Sequence, residues 1–253
     1  MAAAEQTRTP LNPIVIDPGY TRNRIKQTLP SFVIRNMNRK PAHLVSLLCM
    51  LLLACAVHAR TPAVGITAKL AEVHFSLDGK TYTIKRNQNS KATIDPAYAR
   101  TSRPCPPFCI QPIKLAPGVE TLGELELIDY LQRMAAGENI LVIDSRTADW
   151  ANRGTVPGAR NIPWTRLSEG RGANPLDISD LLVETFGAVE LDEGWDFGKA
   201  KTLVLFCNGM WCGQSPTNIR SLLRLGYPAD KIKWYRDGMQ GWKILGFNSE
   251  KPR

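Results

Sequence analysis

The sequence predicts an α/β fold with a parallel β-sheet, and three short apolar segments carry this prediction. They comprise residues 140–143, 203–206 and 232–235. The first two segments are continuously apolar rather than alternating, as expected for a strand that is covered on both faces, and the third, IKWY, contains one lysine. Polar loops and segments with helical spacing of apolar residues separate them. This alternation of strands and helices is typical of a parallel sheet.

Three helices are predicted beside these strands, the last of them a closing helix near Gln240. Thr121 and Glu124 have the spacing of a capping box. The predicted apolar face of the helix that follows consists of Leu125, Ile128, Leu131 and Met134. The second helix is predicted to begin with Ser215 as its N-cap and Pro216 in the first helical position. Gly226 is a residue typical of a helix end.

A small β-hairpin is predicted before the sheet. Residues 63–88 alternate between apolar and polar side chains around Asp78-Gly79, a pair typical of tight turns. Residues 92–117 contain six prolines and predict an extended connector. The expected organisation is an N-terminal segment over residues 1–59, the hairpin and connector over 60–117, and the α/β domain over 118–253.

The N-terminal segment has the form of a signal peptide. Asn38-Arg39-Lys40 is basic, residues 44–57 are apolar, and Val57-His58-Ala59 resembles a cleavage site. An uncleaved membrane anchor is one alternative, and lipid attachment at Cys55 in a lipobox-like sequence is another. All three predict a periplasmic or exported protein, and the last two predict membrane anchoring.

The charge distribution does not indicate a nucleic-acid-binding protein. The formal net charge is +9, but residues 1–59 account for +5 of it. The remaining +4 is spread over 194 residues without a clustered basic run that contains aromatic residues. We therefore expect no nucleic-acid partner.

Four cysteines lie after residue 59, in two close pairs. An even number in an oxidising compartment favours disulfides. Cys105 and Cys109 enclose two prolines, so a structural disulfide is predicted, with a redox pair as the alternative. Cys207 and Cys212 form the other pair. Zinc binding by all four is a further alternative with looser spacing than usual, and no metal or cofactor is predicted.

Cys207 is the predicted nucleophile. It follows an apolar strand and precedes a helix, so the N–H groups and the positive dipole end of that helix face its loop. Such a position stabilises a thiolate, which is the nucleophilic form of cysteine. The alternative is a buried, inert strand residue.

Four motifs, in order, resemble the rhodanese family of sulfurtransferases over residues 119–247. They are VIDSR (142–146), GTVPGARNIP (154–163), LVLFC (203–207) and LGYPADKIKWYRDGMQGW (225–242). The resemblance implies a doubly wound parallel sheet, a persulfide intermediate on Cys207, and an ion pair between Asp144 and Arg146 that supports the loop.

The loop after Cys207 departs from the family pattern. Typical members of the family that this chain resembles end a shorter loop in arginine, whereas Gln214 stands here, and Thr155 occupies a position where histidine is common. Without the arginine, the doubly charged thiosulfate ion is expected to bind less well than a persulfide donor. The resemblance implies that the substrate-binding loop consists of Asn208, Gly209, Met210, Trp211, Gly213, Gln214 and Ser215.

Two functions are therefore considered. The first is an enzyme that carries sulfane sulfur on Cys207 between a small sulfur donor and a thiol acceptor, with Cys212 as a resolving residue. The second is a non-catalytic or thiol-redox binding module in which a Cys207–Cys212 disulfide locks the loop. That module would present Trp211 to a periplasmic protein partner.

Overall fold

The computed structural model describes residues 64–253, in which nine strands and six α-helices occur. The strands are β1 (Val73–Leu77), β2 (Lys80–Ile84), β3 (Glu120–Leu122), β4 (Ile140–Asp144), β5 (Arg160–Asn161), β6 (Val189–Glu190), β7 (Trp195–Asp196), β8 (Thr202–Phe206) and β9 (Ile232–Tyr235). The helices are α1 (Pro96–Ala99), α2 (Glu124–Ala135), α3 (Ala148–Ala151), α4 (Pro175–Asp180), α5 (Gln214–Arg224) and α6 (Gly238–Ile244).

The central sheet has five strands in the order β3-β9-β8-β4-β5, and every neighbouring pair is parallel. Strand β8 lies in the middle, with Leu203 opposite Leu141 of β4 and Ile232 of β9. The predicted α/β fold with a parallel sheet of rhodanese type is confirmed. All three apolar segments identified in the sequence are strands of this sheet.

Two apolar cores cover the two faces of the sheet. Successive residues of β8 alternate between them: Val204 and Phe206 join one core, and Leu203 and Leu205 join the other. This alternation follows from the two-residue period of a strand. Helices α2 and α6 contribute to the first core, and helices α4 and α5 to the second. Because both faces are covered, β8 is apolar throughout.

The predicted hairpin is also present. Strands β1 and β2 are antiparallel, with Phe75 opposite Tyr82, and Asp78 and Gly79 both adopt positive φ in the turn. The buried side of the hairpin belongs to the same core as helix α2. The connector that follows contains Cys105 and Cys109, which form a disulfide with their Cα atoms 4.6 Å apart.

Three details of the predicted helices are wrong. Helix α5 begins at Gln214 with Gly213 as its N-cap, so Ser215 lies inside the first turn. Helix α2 has Gly123 as its N-cap, and Glu126, rather than Glu124, accepts the hydrogen bond from the Gly123 N–H. Leu125 is 49% exposed, because the buried face of α2 instead includes Leu127.

The predicted signal peptide, the alternative anchor and the lipobox at Cys55 all lie outside the described residues. Within residues 64–253, the helices are too short and too polar for any of them to cross a bilayer.

Candidate active site

Cys207 lies where the central strand of the sheet ends. It follows β8 directly and is only 2% exposed. The carboxyl ends of parallel strands meet at one edge of a sheet, which is where α/β folds usually bind ligands. At this edge, Ser145 follows β4 and its N–H donates to the carbonyl oxygen of Phe206. The pairing of β4 and β8 therefore continues to the residue before Cys207 and fixes where Cys207 lies.

The sulfur of Cys207 is surrounded by hydrogen-bond donors. Burial raises the pKa of Cys207, but hydrogen bonds from the Cys212 thiol, the Ser215 hydroxyl and the backbone N–H groups of Ser215 and Gly209 bring it down to about 7. The Ser215 N–H belongs to the first turn of α5, where backbone N–H groups have no partner within the helix. About half of Cys207 is therefore thiolate at neutral pH.

Ser215 is held in the orientation that serves Cys207. The indole Nε1–H of Trp234 donates to Ser215 Oγ over 3.1 Å, and Ser215 Oγ–H donates to Cys207 Sγ, also over 3.1 Å. Because the indole is a donor only, the serine hydroxyl proton must point elsewhere, and the sulfur is its acceptor. Trp234, from the neighbouring strand β9, thus acts as a positioning residue.

Cys212 lies beside Cys207 and is also a free thiol. Burial raises the pKa of Cys212 well above its usual value, and its hydrogen bond to Cys207 and the charge of Cys207 raise it further. The sulfur of Cys207 also lies 3.5 Å from the carbonyl oxygen of Cys212. The two cysteines therefore place an acidic thiol beside a protonated thiol, and the Cys212 thiol donates to the side-chain oxygen of Gln214 over 3.7 Å.

The start of helix α6 holds the cysteine loop in place. The N–H groups of Met239 and Gln240 donate to the carbonyl oxygens of Cys207 and Asn208, both over 2.9 Å. Gly238 has φ +54°, and a Cβ at this position would lie 2.4 Å from the carbonyl oxygen of Cys207. Only glycine permits this approach, which accounts for the glycine in the DGMQGW segment.

Asp144 and Arg146 support the site from the end of β4 without touching the sulfur. Both side chains are fully buried, and Arg146 makes a bidentate contact whose shortest distance, Nη2 to Oδ2, is 2.6 Å. The Thr155 hydroxyl donates to Asp144, and Arg146 donates to the hydroxyl of Tyr98 and the carbonyl of Gly154. Thr155 thus supplies a further hydrogen bond to the buried Asp144 carboxylate.

A cavity of about 510 Å³ opens beside the cysteine loop. Its wall includes Cys212 and Gln214, whereas Cys207 is not among the residues that line it. The side chains around the opening are four aromatic rings and two guanidinium groups, namely Phe108, Trp150, Trp164, Trp211, Arg103 and Arg171. No acidic residue is among the described residues that line this cavity.

The structure brings most of the predicted loop residues together. Asn208, Trp211, Gly213 and Gln214 line the cavity. Met210 is 42% exposed, and its carbonyl oxygen accepts from the N–H of Gln111 in the connector. The Cys105–Cys109 disulfide is not part of the sulfur site. It closes the connector loop that contains Phe108, and the ring of Phe108 packs against Trp211.

Several residues of this site escaped the sequence analysis. Arg103 and Phe108 come from the connector, Trp150 comes from helix α3, and Trp164 and Arg171 come from two short 3₁₀ helices after β5. Only the concentration of tryptophan and arginine in these segments is visible in the sequence. Nothing in that pattern indicates which of them converge.

Residues 127–245 match the model of the family described as "Rhodanese-like domain". The chain therefore contains a rhodanese-like domain. The matched residues include Cys207, Cys212, the Asp144–Arg146 pair and Trp234. Arg103, Phe108 and the Cys105–Cys109 disulfide lie before the matched region, so the wall of the cavity extends beyond the rhodanese-like domain.

Solved structures similar to the rhodanese-like domain include two named as sulfurtransferases. A thiosulfate sulfurtransferase from Pseudomonas aeruginosa is 18% identical over 53% of this chain, with a TM-score of 0.35, and the match spans only 21% of that enzyme. A human single-domain sulfurtransferase is 23% identical over 50% of this chain and 96% of its own, with a TM-score of 0.30.

A third similar structure is a protein of unknown function from Rhodopseudomonas palustris, described as a possible tyrosine phosphatase. It is 17% identical over 54% of this chain and 88% of its own, with a TM-score of 0.36. No curated protein is significantly similar to the chain in sequence.

Proposed function

We propose that the protein is an exported sulfurtransferase that carries sulfane sulfur as a persulfide on Cys207. The observation that carries the proposal is the position of Cys207 at the end of the central strand, where the Ser215 hydroxyl donates to its sulfur over 3.1 Å and helps to lower its pKa to about 7. A buried cysteine without such donors would remain an inert thiol. The same N–H and O–H groups are available to a persulfide anion formed on Cys207.

Sulfur loading is a displacement at a sulfane sulfur. The Cys207 thiolate attacks the outer sulfur of thiosulfate or the terminal sulfur of an organic persulfide. The old sulfur–sulfur bond breaks, its electron pair leaves with sulfite or the organic thiolate, and Cys207 becomes a persulfide. In the second half-reaction, an acceptor thiolate attacks the terminal sulfur and restores the Cys207 thiolate. No net oxidation occurs over the cycle.

Cys212 supports a second route from the same persulfide. The backbone oxygen of Cys212 lies 3.5 Å from Cys207 Sγ, and the two thiols are close enough for each to shift the pKa of the other. Attack of the Cys212 sulfur on Cys207 Sγ forms a Cys207–Cys212 disulfide and expels the outer sulfur as hydrosulfide, which takes the thiol proton. A dithiol reductant then supplies two electrons and two protons to restore both thiols. This route predicts sulfide release that depends on reductant.

A thiol-redox binding module is the second candidate, and the contact between Cys207 and Cys212 favours it. In this function the pair cycles between dithiol and disulfide without carrying sulfur. The ring of Trp211 packs against Phe108, and its Nε1–H donates to Gln240 over 2.8 Å. Trp211 therefore contributes to the wall of the cavity, which leaves little of its ring for a protein partner.

Export is part of the proposal. The Cys105–Cys109 disulfide supports it, because stable disulfides are typical of oxidising compartments. The signal-like sequence before residue 60 supports it as well. Mass analysis of the N-terminus of the purified protein tests this part. A start near Arg60 or a lipid-modified Cys55 is expected, and a soluble cytoplasmic protein that begins at Met1 contradicts it.

Intact mass spectrometry tests the sulfurtransferase. After reduction and incubation with thiosulfate or a polysulfide, the parent protein should gain about 32 Da, the mass of one sulfur atom. Cys207→Ser should lose the gain, and Cys212→Ser should keep it for longer because resolution is blocked. A gain that persists in Cys207→Ser contradicts the proposal. A loss of two hydrogens with no sulfur gain identifies the redox module.

A further inference from the structure

The cavity beside the cysteine loop is too large for thiosulfate alone. At about 30 Å³ for each water-sized atom, the five non-hydrogen atoms of thiosulfate fill roughly 150 Å³. The cavity measures about 510 Å³, which is within the usual range for organic ligands. A ligand that fills it has on the order of 15 non-hydrogen atoms by the same measure.

Two guanidinium groups with free edges give the cavity a positive charge. Arg103 stacks on Trp211 at 4.2 Å from the ring centroid, and Arg171 stacks on Trp164 at 5.1 Å. A stacked guanidinium still directs its N–H edge outward, in the geometry that suits a carboxylate. Across residues 64–253, neither side chain has a carboxylate within salt-bridge distance, and Arg103 Nε is buried without a hydrogen-bond acceptor.

The aromatic rings supply the apolar part of the cavity. Phe108, Trp150, Trp164 and Trp211 line the same cavity as the two guanidinium groups. The indole Nε1–H of Trp164 is a further buried donor without an acceptor in the described part of the chain. Buried donors are normally paired, so an acceptor that arrives with a ligand accounts for both of these donors.

We propose that this cavity binds an organic sulfur compound with a carboxylate group and an apolar body. The carboxylate lies between Arg103 and Arg171, the body packs on the aromatic rings, and the sulfur end lies at the wall formed by Cys212. The inference deepens the proposed sulfurtransferase function, because it names the class of donor or acceptor. It also gives Arg103, a residue of the connector, an anion-binding role. In typical members of the family that role belongs to the last loop residue, which is Gln214 in this chain.

A pair of unreactive probes isolates binding from sulfur transfer. The probes are 4-(methylthio)benzoate and its methyl ester, which differ in charge and carry no free thiol. Calorimetric titration of the full chain should show the acid binding roughly tenfold or more tightly than the ester, the scale of a charge-assisted hydrogen bond. This comparison needs no variant. Equal affinities for the acid and the ester overturn the proposal.

Variants then assign the charge to the two arginines. Arg103→Gln and Arg171→Gln should each weaken binding of the acid by roughly tenfold, and leave the ester nearly unchanged. Arg153→Gln is the matched control, because Arg153 also stacks on a cavity tryptophan, Trp150, but is not among the lining residues. Unchanged binding of the acid by both cavity variants contradicts the proposal.

The sulfur-transfer function and the cavity assignment fail with different experimental results. If the acid binds selectively but Cys207 gains no sulfur from any donor, the cavity assignment stands and the sulfur-transfer function is wrong. If Cys207 gains sulfur but the acid and ester bind equally, the sulfur-transfer function stands and the cavity assignment is wrong.

Discussion

Ser215→Ala tests whether the hydroxyl of Ser215 makes Cys207 acidic. The substitution removes the Oγ–H donor 3.1 Å from the sulfur and leaves the backbone N–H of residue 215 in place. Hydrogen bonds to charged groups contribute about 1.5–3 kcal/mol. One pKa unit corresponds to about 1.36 kcal/mol, so the pKa of Cys207 should rise by about one to two units.

The assay is the rate of alkylation of Cys207 by iodoacetamide as a function of pH. At pH 7 about half of the parent Cys207 is thiolate, and a pKa raised by one unit leaves about a tenth, so the rate falls by roughly fivefold or more. Above about pH 10 the two rates should converge, because both proteins are then largely thiolate. Cys212, whose pKa is raised well above its usual value, stays protonated over the decisive range.

Two controls separate this effect from a loss of structure. Ser221→Ala removes a buried hydroxyl from the same helix, and this hydroxyl accepts from Arg224 rather than contacting Cys207. It should leave the alkylation profile unchanged. Ser215→Thr keeps a hydroxyl and should restore much of the low pKa. An unchanged profile in a folded Ser215→Ala protein refutes the assigned role of Ser215.

Three further predictions concern the surroundings of Cys207. Gln214→Arg should raise thiosulfate turnover by roughly tenfold and change persulfide turnover little, because it adds a charge to the cavity wall; equal thiosulfate kinetics with reduced Cys207 would count against it. Asp144→Asn should lower the free energy of unfolding by about 3–5 kcal/mol, since it leaves Arg146 buried without its counter-ion; Glu138→Gln, at the surface partner of Arg133, should show no measurable change in urea unfolding. Cys105→Ser should lower stability by about 2 kcal/mol and weaken binding of 4-(methylthio)benzoate, because the closed loop carries Phe108 next to Trp211; unchanged affinity in this variant would contradict the role of the connector.

The sequence predicts those parts of the fold that depend on local pattern. Residues 203–206 are apolar on both sides because both faces of β8 are buried, so the strand and the loop after Cys207 follow from the sequence alone. The Asp78-Gly79 turn is equally local, because it requires two residues that accept positive φ.

The errors and omissions have a different origin. Serine is a common N-cap residue, but the hydroxyl of Ser215 bonds to Cys207 and Trp234 instead. Ser215 is therefore the second residue of helix α5 rather than its N-cap. Arg103 and Arg171 are far apart in the sequence and converge only when the connector folds over the cysteine loop. Contacts of this kind depend on packing between elements, which a local pattern does not encode.

The most direct test of the sulfur carrier is to locate the added sulfur within one peptide. Trypsin is expected to release residues 202–220, which contain both Cys207 and Cys212. After the protein is loaded with a polysulfide and alkylated, fragmentation of this peptide distinguishes the two positions. Our account predicts the additional sulfur on fragments that contain Cys207 and lack Cys212. Additional sulfur confined to Cys212 would contradict it.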